Sequence, residues 1–217
     1  DNELLFLTRG IGNSEFTSNK IYQLTDDQEV VEYTNATDAG TCVSLSNLVL
    51  ANNGDIWGIQ CSGELVRFRD KMYLDFFDPT NTPLKQNSNV KQVFMLPYGD
   101  GMVVVSKNGV LYQILKYENE VWSTLLNFTA DIRPEGDQAV AISLPSLVNA
   151  TIKGDQLYVA TTLASCRGFQ VFDISGNEEL TTEDYFIVQD QNFDSQCIDA
   201  FEVMPNEDIL VMTRESL

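Results

Sequence analysis

The chain has 217 residues, of which 43% are apolar, with 32 acidic and 13 basic side chains, no histidine and a net charge of −19. The apolar share is that of a folded domain rather than a disordered one, and no run approaches the roughly 20 apolar residues that a membrane helix needs. Nucleic acid and anionic membrane surfaces are disfavoured as partners, because phosphate binding needs clustered Lys and Arg; without histidine, neither a Ser/His/Asp nor a Cys/His site is available.

In chain order, the predicted strands begin with LLFLTR from Leu4, KIYQLT from Lys20 and VVEYT from Val30. The opening stretch has no basic segment ahead of its apolar residues and so is not an intact signal peptide. A second group follows: VSLSNLVLA from Val43, IWGIQC from Ile56, LVRFRD from Leu65 and MYLDFFD from Met72. Asn-Gly at Asn53-Gly54 and Ser-Gly at Ser62-Gly63 mark its hairpin turns. The third group reads VKQVFMLPY, MVVVSK, VLYQIL and VWSTLLNF, and the fourth SLVNATI, LYVATT, FQVFDI and DYFIVQ. A last pair, IDAFEVMP and ILVMTR, ends the series. Val, Ile, Leu, Phe and Tyr dominate these segments, as pleated surfaces prefer. No stretch carries a helical stripe.

One phrase, a polar turn with an acid leading into an apolar strand, occurs five times, at Glu3, Asp55, Asp100, Asp155 and Asp208. The steps between these acids are 52, 45, 55 and 53 residues. A repeat of that length made of short strands is the mark of β-propeller blades. The expected fold is therefore all-β, a propeller of four-stranded antiparallel blades incomplete at both ends, with about five blades represented. Residues 1–217 form one propeller domain or part of a larger propeller, with blade units near 3–38, 42–79, 89–129, 139–190 and 197–217. Counted along the chain, the units hold three, four, four, four and two strands. The first and last segments, NELLFLTR and NEDILVMTR, align at an offset of 205 residues and both claim the second strand position. The ring is therefore not expected to close on itself, and the open blades await strands from elsewhere in the polypeptide or from a neighbouring copy.

Three phrases carry family resemblances. NNGDIWGIQCSGELVRF, from Asn52, resembles two-component-regulator-type propeller repeats. GDGMVVVSKNGVLYQI, from Gly99, is similar to quinoprotein-type repeats, and GDQLYVATTLASCRGFQVFDISG, from Gly154, resembles extracellular propellers of the YVTN and LVIVD kind. The resemblance implies the superfold, and propellers host binding, scaffolding and catalysis alike.

Candidate site residues are few. Cys42, Cys61, Cys166 and Cys197 lack C-x-x-C spacing and any histidine partner, which disfavours zinc and favours two disulfides in an oxidising compartment. Strand positions pair Cys42 with Cys61 at one end of one hairpin, and Cys166 with Cys197 at adjacent blade corners. Sequons at Asn35, Asn127 and Asn149 fit a secreted glycoprotein, with Asn35 and Asn127 better placed than Asn149, which falls within a first strand. Asp190, Asn192 and Asp194 have the D-x-N-x-D opening of a calcium loop, but Ser195 stands where that loop has glycine and Phe201 where it has its bidentate Glu. No cofactor is firmly implied; calcium is the candidate. The turn acids Asp55, Asp100, Asp155 and Asp208 are explained by turn chemistry. Arg67 and Arg69 read as a solvated face or as ion pairs between blades. The functional expectation is an extracellular structural or protein-interaction module that binds a protein partner or further copies of itself. The alternative is a calcium-dependent propeller hydrolase or lactonase with an axial metal.

Overall fold

The computed structural model describes residues 4–8, 20–25, 27–35, 46–59, 64–70, 72–77, 80–84, 91–108, 111–129, 147–161, 169–181, 185–188, 196–206 and 208–215. These residues form two compact units, one of residues 1–86 with 99–101, the other of residues 87–98 with 102–217.

The first unit holds two antiparallel meanders. Sheet I runs β1 (Leu4–Thr8), β2 (Lys20–Leu24), β3 (Val30–Asn35). Sheet II runs β4 (Ser46–Leu50), β5 (Ile56–Ile59), β6 (Leu65–Arg69), β7 (Met72–Phe77). Ile21 of β2 and Tyr33 of β3 pack on Ile56, Val66 and Phe68 of sheet II, so the two sheets meet face to face.

The second unit holds three sheets. Sheet III runs β8 (Lys91–Tyr98), β9 (Gly101–Asn108), β10 (Leu111–Glu118), β11 (Val121–Thr129). Sheet IV runs β12 (Leu147–Lys153), β13 (Gln156–Thr161), β14 (Phe169–Asp173), β15 (Tyr185–Val188). Sheet V pairs β16 (Gln196–Val203) with β17 (Ile209–Glu215). The period of two in β13 shows how the sheets stack. Leu157 and Val159 join the core shared with Val103, Val105, Tyr112 and Ile114 of sheet III. The intervening Tyr158 and Ala160 join the core shared with Ile198, Phe201 and Val203 of sheet V. Middle strands buried on both faces favour apolar runs, as in β5, in Met102–Val105 of β9 and in Leu157–Ala160 of β13.

Every sheet is a sequential meander, and β12 has β8 on one side and β16 on the other as near neighbours. First strands side by side and sheets stacked face to face are the blade arrangement of a β-propeller. The strands thus fall where the repeat places them, in groups of three, four, four, four and two among the described residues, with no helix there. The fold is an incomplete β-propeller.

The turns explain the repeating acid phrase. Gly54 (φ 86°) and Gly154 (φ 58°) precede Asp55 and Asp155, and each has open space where a Cβ would sit. Glycine is therefore favoured there by backbone conformation, not by crowding.

Candidate functional site

The repeated corner between first and second strands is where the sequence concentrates acids, and the structure gives Asp55 and Asp155 different partners while Asp208 shares the Asp55 turn. Asp55 is fully buried. The Asn53 side chain accepts from the Asp55 backbone N–H at 3.0 Å and donates to Asp55 Oδ2 at 3.1 Å, an Asx turn that fixes the carboxylate. Arg69 then donates from Nε to Oδ1 at 2.5 Å and from Nη2 to Oδ2 at 2.8 Å. Asp155 instead accepts from the Tyr98 hydroxyl at 2.7 Å. Asp208 repeats the turn, with Asn206 donating to Oδ2 at 2.6 Å and accepting from the Asp208 N–H at 3.3 Å.

Arg67 and Arg69 are corrected on one point. Arg67 is not on a solvated face: it is 3% exposed, and it pairs with Asp55 and Asp75 of its own sheet. Its Nε donates to Asp75 at 2.8 Å, Nη2 also reaches Asp75, and Nη1 lies 3.5 Å from Asp55. The guanidinium sits 5.6 Å from the centroid of the Trp57 ring, which stacks on Phe77 at 5.3 Å. Two arginines face two carboxylates, so the buried charge is balanced. Trp57 and Trp122 pack within their own sheets, Trp122 lying against Tyr117 at 4.9 Å.

A second polar cluster escaped the sequence reading. Lys116 on β10 is 2% exposed. Its Nζ donates to the backbone carbonyls of Ile174, Ser175 and Gly176 at 3.1, 3.4 and 3.2 Å, and lies 4.7 Å from the Tyr98 ring centroid and 3.5 Å from Glu118. The signal was available: Tyr112, Ile114 and Lys116 alternate on one face of β10, and the first two are core. Around it, burial and the neighbouring carboxylate of Asp155 push the Tyr98 hydroxyl pKa up. Burial pushes that of Tyr112 up to about 12 and lowers that of Lys107. The Ser175 N–H holds the Asp173 carboxyl below its ordinary value.

The sequons are placed unequally. Asn127 is exposed on β11, an outer strand. Asn149 follows a bulge in β12, and its Nδ2 donates to the Phe201 carbonyl of β16 at 2.9 Å while its Oδ1 accepts from the Ala150 N–H. The Asn35 backbone ends β3, and its side chain lies outside the described residues. Cys42, Cys61, Cys166 and the Asp190, Asn192, Asp194 loop also lie outside them, as does the Cys197 side chain, whose backbone pairs with Arg214. Among the described residues, no three acidic or thiol side chains converge on one point.

No protein-family model matches the chain, and no curated protein matches it. Among solved structures it is similar to YCF48 from Cyanidioschyzon merolae, a β-propeller protein, with a TM-score of 0.52 at 10% identity. The match covers 91% of this chain and 62% of that one, so the chain spans less than two thirds of its structural relative. At that identity the likeness speaks for the fold alone, and it agrees with the stacked meanders of both units.

Proposed function

We propose that the chain is an extracellular interaction module of a secreted glycoprotein, and that its partners are further copies of itself, joined by strand addition at open blades. The observation that carries this reading is the state of β17. Among the described residues its hydrogen-bonded neighbour is β16 alone. Ile209 and Val211 pack inward. Leu210 and Met212, on the opposite face, are 66% and 59% exposed. An apolar strand whose described pairing lies on one side is a template for an added strand, from the same polypeptide or from another copy.

Secretion is supported by the exposed sequon at Asn127 and by the acidic surface, which keeps such a chain soluble. The disulfides Cys42–Cys61 and Cys166–Cys197 belong to the same reading. Peptide mapping under non-reducing conditions checks them, and free thiols or crossed pairs would overturn them. The assembly itself is tested by mixing isotopically light and heavy chains and cross-linking the mixture. Mixed-isotope cross-links that involve the β17 peptide support it; cross-links confined to single chains contradict it.

A further inference from the structure

We propose that the carbonyl bay formed by Ile174, Ser175 and Gly176 is a primary-ammonium site that Lys116 fills from within the chain, and that this occupancy docks the β14–β15 connection onto sheet III. The bay is shaped before the ammonium enters it. The Ile174 N–H donates to the Asp155 carbonyl at 2.8 Å, and the Ser175 N–H donates to Asp173 Oδ1 at 2.9 Å. These two bonds turn the chain so that three successive carbonyl oxygens face one point.

The ammonium at that point has three N–H donors, and the bay offers three acceptors within 3.4 Å. The Tyr98 ring closes a further side at 4.7 Å, and the ring is itself held by its hydroxyl bond to Asp155. Glu118 at 3.5 Å supplies the counter-charge. The arrangement selects a compact tetrahedral cation, since a planar guanidinium presents its donors in a fork that three converging carbonyls do not match. The same connection has a second attachment to sheet III, where the Leu180 N–H donates to the Leu125 carbonyl at 2.7 Å. Losing the ammonium takes one shared cationic donor from three carbonyls, and the connection should detach locally while the sheets remain.

The test uses the full chain with Lys116→Ala, which keeps the bay and vacates the stem, and Lys116→Met, which keeps a stem without the charge. Amide hydrogen exchange at Ser175 and Leu180 should speed up about tenfold or more in both variants, the size expected for losing charge-assisted bonds. Added n-butylammonium should restore slow exchange to Lys116→Ala with saturation, and leave Lys116→Met and the parent chain unchanged. Tetramethylammonium and n-butanol should restore nothing, because one lacks N–H donors and the other lacks charge. Rescue by butanol equal to that by butylammonium would mean that only packing matters and would overturn the proposal. So would native exchange rates in Lys116→Met. Should Lys116→Ala fail to fold, the exchange of Lys116→Met alone decides between the two outcomes.

Discussion

Arg69 closes on Asp55 through two bonds, and only one partner is out of water: Asp55 is fully buried, while the Arg69 side chain is 44% exposed. The asymmetry sets the expected costs. Asp55→Ala takes the carboxylate from Arg69, from the Asn53 side-chain amide and from the buried Arg67, and should destabilise the first unit by about 3 kcal/mol. Arg69→Ala removes a half-exposed partner while the Arg67 guanidinium stays 3.5 Å from the buried carboxylate, and should cost less, about 1 kcal/mol. Urea denaturation of the two variants checks the order; a larger loss for Arg69→Ala would contradict the placement of Asp55.

The buried Tyr112 gives an alkaline limit. Its pKa rises from an ordinary 10.0 to about 12 because burial disfavours the phenolate. A folded-state pKa above the unfolded one gives stability that is complete below pH 10.0 and is lost as pH climbs to about 12. Thermal melting should therefore fall across that window, and Tyr112→Phe should flatten the fall. An unchanged slope in the variant would assign the loss to other groups.

Asn149 and Asn127 should differ in glycosylation. Asn149 spends its amide on the Phe201 carbonyl, whereas Asn127 faces solvent. Mass spectrometry of protein secreted from a glycosylating host should find Asn127 occupied and Asn149 bare. Asn149→Ala should cost about 1 kcal/mol through the lost bond between first strands. A glycan on Asn149 would contradict the seating of β12 against β16.

The blades were legible because alternation and Gly-Asp turns are local signals that the chain repeats. What tells one blade from another was not. Arg67 reads as a surface residue by type, and its acceptor Asp75 stands across a bulge on β7 that spacing does not reveal. Lys116 binds backbone carbonyls some sixty positions away, and carbonyls carry no sequence signature. Asn149 reads as a sequon, yet the bulge in β12 turns it toward β16. For Lys116 and Asn149 the partner is fixed by which sheets stack, and stacking is decided by tertiary packing; for Arg67 it is fixed by a bulge within one sheet.

The most direct test of the central claim is molar mass by light scattering across a range of protein and salt concentrations. Copies carrying a charge of −19 repel one another at low ionic strength, so association through β17 should strengthen as salt screens that charge. The parent chain should grow in mass with both protein and salt. A Leu210→Lys, Met212→Lys double variant, altered only at exposed positions, should melt as the parent does and remain a single chain. A parent chain that stays at single-chain mass throughout, or a double variant that associates equally well, would contradict assembly through β17.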